Sequence, residues 1–400
     1  MAAYYDRSKV REALALLGVK RLAIGIANTS FPSLAEEEIG CGSPYSNGGR
    51  AFVRFIHELG FDTLVLAPQG QTRPTQTSPY LASCFSRSLL SLAALPLCSP
   101  RVGLLSPQHV QRLVAGAPVS HGGAARNRVD FPYGWNGVQG FLEGAFGALE
   151  QNTDAFRASF RAFVDSQLTA GSWLQRDAIF YALTQTHGTE DWGKWPPQDQ
   201  NLFSKPTDKP ESQLRRVQSM VASCKRLVEA YCFGQFLLHE QHLALHAETK
   251  DLGLDLVAET NAGNKSSDAP DCWSYGSQLP PYELREEHAL VGFDAVIRGG
   301  LLGSSDWSTI TRTKMPLAEQ LVVPFEILFG LLENDGNLNE SPIAPWALRV
   351  PADYARSYPL KAKQGENLDL RRTLAQALQA SHCGSSALGL AQQLEANATS

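Results

Sequence analysis

Two short apolar segments, each followed by a polar turn, constrain the fold of this chain more than any other feature. Residues 21–27 (RLAIGIA) run into the turn NTSFP, and residues 63–67 (TLVLA) run into PQG. Between them, residues 49–59 have the periodicity of a helix. This strand–helix–strand order predicts a βαβ unit and therefore a parallel sheet, with polar side chains such as Asn28 and Ser30 at its strand ends.

Helical patterns dominate the middle of the chain, and strand patterns return after it. Helical periodicity occurs in four later segments: 141–149, 153–167, 173–186 and 213–250. Later apolar runs that predict strands are 254–259 (LDLVAE), 289–294 (ALVGFD), 321–325 and 343–350. We infer an α/β fold of the TIM-type β/α barrel with a helical insertion; eight strands cannot be counted, so an incomplete or distorted barrel is allowed.

These patterns divide the chain into three parts. Residues 1–80 form a first half-barrel segment, 81–230 a helical insertion subdomain, and 231–400 the remaining barrel strands with a C-terminal tail. The boundaries follow from the change between strand patterns and uninterrupted helical patterns.

Composition and charge exclude several kinds of partner. Of 400 residues, 43% are hydrophobic and 19% charged, with a net charge of −5 and no long run of one sign, so neither nucleic acid nor a membrane surface is expected. No stretch is long and apolar enough to cross a membrane, and the charged amino terminus is unlike a signal peptide. Seven scattered cysteines outside any C-x-x-C pair fit a cytoplasmic protein. A small polar molecule or an oligosaccharide is the expected partner, and the oligomeric state cannot be read from the sequence.

Two carboxylates stand at predicted strand ends. Glu259 ends the third strand and Asp294 ends the fourth, so a β/α barrel would bring both to the rim where active sites lie. Carboxyl groups about 5 Å apart can divide the work of retaining glycoside chemistry between a nucleophile and an acid/base. The alternative is structural: either carboxylate caps a helix or pairs with Arg298 or Lys265.

A third carboxylate, Glu326, follows the apolar run QLVVPF. If this run is a strand, Glu326 lies at its end, where apolar surroundings would raise its pKa and suit it to donate a proton. If residues 317–334 instead form one helix, Glu326 lies on the helix surface. The periodicity favours the helix.

Aromatic residues after strands are candidates for stacking on a flat ligand such as a sugar ring. They are Tyr80, Trp273, Tyr275 and Trp307. Packing in the core is the commoner role for each of them.

Three histidines and two glycine pairs are the candidate cofactor-binding residues of the chain. His239, His242 and His246 share one helix face, but the spacing lacks the HExxH pattern, and a packed or solvated helix face is favoured over metal binding. Gly48-Gly49 and Gly299-Gly300 form neither a G-x-G-x-x-G nor a P-loop pattern. We therefore expect no cofactor and no metal.

Several blocks in the right order resemble the family 77 glycoside hydrolases, the amylomaltases or 4-α-glucanotransferases. IANTSFPS resembles the family's H-x-T-S-L-P segment, and TLVLAPQGQT with TSPYLASCF resembles its L-P-L-G-P-T and S-P-Y-Q-S segments. WLQRDAIFYAL is similar to W-L-x-D-Y-A-L-F-x-A-L, and DLGLDLVAE to A-x-x-x-G-I-x-L-x-G-D. The resemblance covers roughly residues 20–300 and implies a TIM barrel that moves α-1,4-glucan segments between acceptors.

The resemblance also implies roles for particular residues. Ser78 and Tyr80 match the substrate-binding S-P-Y loop, Glu259 stands where the family has a strand-end Asp, and Asp294 matches the nucleophile of R-x-D-H-F-R-G. In that motif Gly292 replaces the Arg and Ala295 the His. Glycan contacts are further expected from Asn28, Ser30, Trp273, Tyr275, Arg298 and Trp307.

The carboxyl-terminal third departs most from the family. About 105 residues follow Asp294, without a clear A-E-D-L-G segment for the acid/base Glu. One alternative is that LVVPFEILFG is a diverged form of the family's acid/base strand. The other is that the acid/base strand is deleted and SPIAPWALRVP supplies the family's final strand. The sequence therefore predicts a diverged 4-α-glucanotransferase-like enzyme that uses Asp294, Glu259 and Glu326; the alternatives are a non-catalytic glucan-binding or regulatory protein and an enzyme recruited to a specialised biosynthetic pathway.

Overall fold

A computed structural model gives the structure of most of the chain. It describes residues 6–115, 127–167, 172–203, 210–260, 270–275, 292–298, 320–331, 344–381 and 384–399. Within these ranges the chain forms one five-stranded parallel sheet surrounded by helices. The predicted α/β class is therefore confirmed.

The sheet places the last described strand beside the first. Its strands are β1 (Arg21–Ile26), β2 (Thr63–Leu66), β3 (Asp255–Thr260), β4 (Ala295–Arg298) and β5 (Gln320–Pro324). Their order is β4-β3-β2-β1-β5, and β5 pairs with β1 through Ala23 and Val322. In a closed β/α barrel the strand on this side of the first strand is the last one. β5 therefore has the position of a closing strand rather than a fifth strand, which argues against a diverged acid/base strand; the strand in this position is Gln320–Pro324 and not the SPIAPWALRVP segment of the deletion alternative.

Alternation along the strands explains why both faces of the sheet are covered. Leu22, Ile24 and Ile26 of β1 belong to the main core beneath the helices. Ala23 points to the other face and packs with Val65 and with a valine of each of the strands β3 and β5. Burial on both faces is typical of parallel sheets and produces strands that are apolar almost throughout.

Helices before and after the strands complete the layer around the sheet. They are α1 (Arg7–Leu16), α2 (Asn47–Glu58), α3 (Pro107–Ala115), α4 (Phe131–Ala148), α5 (Asp154–Gln167), α6 (Trp173–His187), α7 (Pro197–Gln200), α8 (Pro210–Ser223), α9 (Lys225–Leu252), α10 (Pro270–Tyr275), α11 (Phe325–Leu328), α12 (Tyr354–Gln364), α13 (Leu370–Ala380) and α14 (Gly384–Thr399). The long α9 ends at Gly253, whose φ of 69° is in the left-handed region that favours glycine. This sharp ending returns the chain directly into β3.

The described residues between β2 and α9 form helices and short 3-10 turns without a strand of the sheet. Helices α4, α5 and α6 pack against α9, which links this helical region to the sheet. One predicted helix, 213–250, is in fact the pair α8 and α9, separated at Cys224. The boundaries at residues 80 and 230 stay predictions.

Two predicted strands are wrong where the structure describes them. Residues 292–294 precede β4, which begins at Ala295, so the predicted strand 289–294 does not end at Asp294. Residues 344–350 contain a 3-10 turn, Pro345–Ala347, and make no strand of the sheet. Pro345 has no N–H to donate to a neighbouring strand, which explains the second error. In the described parts of the chain, no helix is both long and apolar enough to span a bilayer.

Candidate active site

A pocket lies at the carboxyl edge of the sheet, where the ends of β1, β2 and β5 meet. Ala27 and Ala67, which directly follow β1 and β2, form its floor, and Tyr80, Glu326 and Trp346 form its walls. The small alanines leave room at the strand ends for these larger side chains. Parallel strands bring their carboxyl ends to one edge, and binding sites of α/β proteins lie there.

Tyr80 connects the pocket to Glu259. It lies on the 3-10 turn Pro79–Leu81, and its hydroxyl donates a hydrogen bond to Glu259 Oε2 at 3.1 Å. Glu259 is 1% exposed and lies two residues beyond Val257, so it shares the face of the sheet opposite the helices. Burial raises the pKa of the Tyr80 phenol far above its ordinary value, and the nearby carboxyl groups of Glu259 and Glu326 raise it further. The phenol therefore stays protonated and remains a hydrogen-bond donor to Glu259.

Glu326 provides a protonated carboxyl group in the same pocket. It is 5% exposed, on the first turn of α11 immediately after β5, and β5 aligns Pro324 with Gly25 of β1. Burial raises the pKa of Glu326 to about 8, so the acid form predominates at neutral pH. The strand interpretation of QLVVPF is confirmed, and the long helix with Glu326 on its surface is wrong.

Asn28 lines an adjoining pocket and is held by amide hydrogen bonds. Its Nδ2 donates to Gln69 Oε1 at 2.8 Å and to Ser91 Oγ at 2.9 Å, while Gln69 Nε2 donates back to Asn28 Oδ1 at 2.9 Å. The two pockets share Ala27 and Pro79 and so lie next to each other along the strand ends. The second pocket adds fixed polar groups suited to hydroxyl-bearing ligands.

Trp346 closes one side of the pocket over Tyr80. The two rings meet edge to face with centroids 6.1 Å apart. Thr29 Oγ1 donates to the Trp346 carbonyl at 3.3 Å, and the nearby Arg349 guanidinium forms a bidentate pair with Glu38 at 2.9 and 3.0 Å. These bonds fasten the segment that carries Trp346 to the loop after β1.

Asp294 lies at the opposite edge of the sheet from this pocket. Its carboxylate accepts hydrogen bonds from Leu256 N–H at 2.7 Å and His246 Nε2 at 3.0 Å, at the amino end of β3. Glu259 is three residues further along β3, roughly 10 Å away at about 3.3 Å per residue. The prediction that Asp294 and Glu259 share a rim is therefore wrong, because β4 starts after Asp294 instead of ending there.

Two of the predicted aromatic ligands, Trp273 and Tyr275, lie away from the Tyr80 pocket. Trp273 is fully buried, edge to face with Phe203 at 5.1 Å, and its Nε1 donates to the Asp199 carbonyl at 2.9 Å. Tyr275 packs against Phe85 and under the guanidinium of Arg176. Both side chains belong to the contact between α10 and the helical region rather than to the Tyr80 pocket, and Trp307 lies outside the described residues.

The remaining predicted contacts are placed as follows. Ser30 is fully buried, and its carbonyl accepts the Val350 N–H at 2.9 Å, so it supports the loop instead of facing a ligand. Ser78 is buried at the start of the turn that carries Tyr80. Arg298 ends β4 opposite Thr260, at the same edge as Glu259, and its side chain is outside the described part of the structure.

The three histidines on α9 have separate environments. His242 is buried, with Nδ1 3.2 Å from the Tyr45 hydroxyl and Nε2 2.6 Å from the Gly292 carbonyl. Burial and the nearby Arg87 lower the pKa of His242 far below its ordinary value. His246 instead contacts Asp294. No group of metal-ligating side chains occurs among the residues that the structure describes.

Sequence reasoning missed three members of the site: Gln69, Ser91 and Trp346. Gln69 lies three residues after β2, in the turn PQG, so its position in the polar turn after a strand was a usable signal. Trp346 sits in the Pro-flanked segment I-A-P-W-A, and proline argues against the strand that was predicted there. Ser91 reaches Asn28 only through a fold that joins positions 63 residues apart, and no local pattern marks it.

The fold and site thus define an α/β protein with two buried carboxyl groups, Glu259 and Glu326, at the carboxyl edge of a parallel sheet. A family model described as 4-alpha-glucanotransferase matches residues 29–280. The chain belongs to this 4-alpha-glucanotransferase family of glycoside hydrolases, as the sequence motifs predicted. Glu259 and Tyr80 fall within the matched residues, whereas Glu326 lies beyond them.

Individual relatives agree with the family and differ in length. The chain is 29% identical over 228 residues to a 4-alpha-glucanotransferase of Thermus thermophilus, covering 54% of this chain and 39% of that protein. The fold resembles amylomaltase from Streptococcus agalactiae in complex with acarbose, with a TM-score of 0.53, 14% identity, and coverage of 71% of this chain and 60% of that one. For amylomaltase from Corynebacterium glutamicum the TM-score is 0.50 at 15% identity, covering 73% and 42%. The chain thus spans between 39% and 60% of the length of these proteins.

Proposed function

We propose that this chain is a glycosyl-transferring enzyme that acts on α-1,4-linked glucans at the Tyr80 pocket. In this proposal Glu326 is the proton donor to the leaving glycosidic oxygen. Glu259 is the anionic partner that stabilises or captures the positively charged sugar carbon as the bond breaks. Trp346 and Tyr80 supply flat apolar surface for the sugar ring.

The observation that supports this proposal most strongly is that Tyr80 lines the pocket together with Glu326 and also donates a hydrogen bond to Glu259. Glu326 has a pKa raised to about 8 by burial, whereas Glu259 accepts the Tyr80 hydroxyl. Carboxyl groups whose environments differ in this way can divide the roles of acid and base. Asn28 and Gln69, held by their mutual hydrogen bonds, add amide groups that suit sugar hydroxyls.

Incubation of the purified protein with maltotriose tests the proposal. Transfer produces glucose together with maltotetraose and longer products, which chromatography separates from simple hydrolysis to glucose and maltose. Glu326→Gln and Glu259→Gln should each abolish most of this activity, whereas Glu240→Gln, an exposed position on α9, should not. Full activity in both site variants would contradict the assignment.

A second candidate function is glucan binding without turnover. It is favoured by one observation: Asp294, the residue matched to the family's nucleophile, lies at the opposite edge of the sheet beside His246. Calorimetric titration with maltotriose distinguishes the two functions. Binding without products would support this second function, and the absence of both binding and turnover would contradict any glucan-directed role.

A further inference from the structure

The short helix α10 packs against the helical region mainly through one tryptophan. Trp273 is fully buried, with ring centroids 5.4 Å from Phe180 of α6 and 5.1 Å from Phe203. Its Nε1 donates to the Asp199 carbonyl at 2.9 Å. Burial of so large an apolar side chain, with its one polar atom bonded, favours the docking of α10.

Two buried carboxyl groups meet at residues 84–86, one from each side of this contact. Asp271 of α10 accepts the Cys84 N–H through Oδ1 at 3.4 Å, and Asp177 of α6 accepts the Ser86 hydroxyl through Oδ2. The two aspartates are 1% and 5% exposed, respectively. Because their hydrogen-bond partners are only two residues apart, the carboxyl groups are held near each other and away from water.

Two ionised carboxylates at this contact would repel each other, and one of the two groups is protonated below neutral pH. The pKa of Asp177 is raised to about 7, first by burial and then by the charge of Asp271. Hydrogen bonds from Ser86 and the charge of Arg176 lower the pKa of Asp177, but by less. Arg176 itself donates to the Ser274 carbonyl of α10, so this cation belongs to the same contact.

Other polar groups surround Asp177 from the remaining elements. Tyr231 of α9 and Tyr275 of α10 lie near it, and burial followed by the charge of Asp177 raises the pKa of both phenols above the ordinary value. Both phenols therefore stay neutral. Arg73 and Glu190, which are opposite in charge, line the pocket on which Asp177 lies. Asp177, unlike the two phenols, changes its charge near neutral pH.

We propose that Asp177 and Asp271 form a pH-sensitive latch, which holds α10 in place while Asp177 is protonated and loosens α10 when Asp177 ionises. Once α10 undocks, water reaches Asp177 and its pKa returns toward the ordinary value of 3.8. The docked state therefore binds the proton more tightly, and this stabilisation is lost as the pH rises from about 4 to about 7. Above that range both states are ionised, so docking weakens no further.

The latch lies between two segments that lead to the Tyr80 pocket. Residues 84–86 follow the turn that carries Tyr80, and α10 belongs to the connection that leaves β3 after Glu259. The pH thus regulates how firmly this connection is attached to the helical region. The latch is independent of the reaction proposed for the pocket, because all its groups belong to the protein itself.

Hydrogen exchange of the backbone amides, measured from pH 5 to pH 9 and corrected for the intrinsic exchange rates, tests the latch. The equilibrium constant for opening of α10 should rise at least about tenfold between pH 5 and pH 7 and change about twofold or less above pH 8. At pH 8 this constant should exceed that of strand β1, because α10 opens without unfolding of the sheet.

Three variants assign the effect to the carboxyl pair. Asp177→Asn should make the opening of α10 independent of pH, because an amide does not ionise but still accepts the Ser86 hydroxyl. Asp271→Asn should reduce the dependence without abolishing it, since burial of Asp177 remains. Asp165→Asn, at an exposed position of α5, is the matched control and should behave like the wild type.

The proposal would be overturned by a pH-independent opening of α10 in the wild type or by wild-type pH dependence in Asp177→Asn. Equal opening constants for α10 and β1 at every pH would also overturn it, because α10 would then open only with the whole protein. Thermal unfolding shows whether each variant is folded, and Asp271→Asn probes the latch independently of Asp177→Asn. No glucan is present in these measurements, so failure of the proposed glycosyl transfer would leave their result unaffected.

Discussion

The two edges of the sheet hold carboxylates in opposite situations. At the amino edge, Asp294 accepts hydrogen bonds from His246 and from Leu256 N–H; burial raises its pKa, but these bonds outweigh burial and the net shift is downward. At the carboxyl edge, Glu326 is buried and its pKa is raised to about 8. A carboxylate whose partners stabilise its charge can hold structural elements together. A buried acid is unstable as an anion, so it stays protonated at neutral pH and is available to donate that proton to a substrate.

The largest expected difference between the two edges concerns catalysis. Glu326→Gln should lower maltotriose turnover by about 10²- to 10⁴-fold, because it removes the proton donor. Turnover is measured by the initial rate of glucose release, with Glu240→Gln as the matched control. A loss below tenfold would show that Glu326 is not the acid. The carboxyl edge would then not differ from the amino edge in catalytic function.

The next effect concerns stability and does not depend on activity. Burial raises the pKa of Glu326 from its ordinary value near 4.5 to about 8, so between these pH values the folded protein holds a proton that the unfolded chain has released. The wild type should therefore lose unfolding free energy as the pH rises from about 4.5 to 8, by roughly 5 kcal/mol. Urea titrations across this range should show a flatter profile for Glu326→Gln; identical slopes would contradict the raised pKa.

A smaller effect is expected from Tyr80→Phe. The change removes the hydroxyl that donates to Glu259 Oε2 and leaves a buried carboxyl oxygen without that donor. Turnover should fall by about 10- to 100-fold, since an unsatisfied buried group costs about 1–3 kcal/mol. Tyr133→Phe removes a tyrosine hydroxyl that bonds to the Leu113 carbonyl instead, and serves as the control. If both variants retain wild-type turnover, Tyr80 does not order the site.

The smallest effect is expected at the amino edge. Asp294→Asn should lower the free energy of unfolding by about 1 kcal/mol, because one charged acceptor is lost from a partly exposed position that solvent screens. Turnover should stay within about twofold of the wild type, since Asp294 lies roughly 10 Å along the strands from Glu259. A loss of turnover comparable to that of Glu326→Gln would show that Asp294 is a catalytic residue and not a structural one.

The two predicted strand-end carboxylates show how far local patterns reach. The apolar run 254–259 predicted β3 to within a residue, and with it the position of Glu259 at the carboxyl edge. The run 289–294 was just as apolar, yet β4 begins where that run ends. An apolar run shows that a segment is buried but does not fix where hydrogen-bonded pairing begins, and here an error of a few residues moves a side chain from one edge of the sheet to the other.

The sequence by itself determined the α/β class, the family and the first three strands, and it marked Tyr80 and Glu259 as candidate site residues, because these depend on local periodicity and on short motifs. Only the tertiary structure decided that β5 lies beside β1, which brings Glu326 into the pocket with Tyr80. It also decided that Trp346 rather than Trp273 reaches that pocket. Strand order and the choice between two tryptophans depend on contacts between residues far apart in the chain. Such contacts are not marked by any periodic pattern in the local sequence.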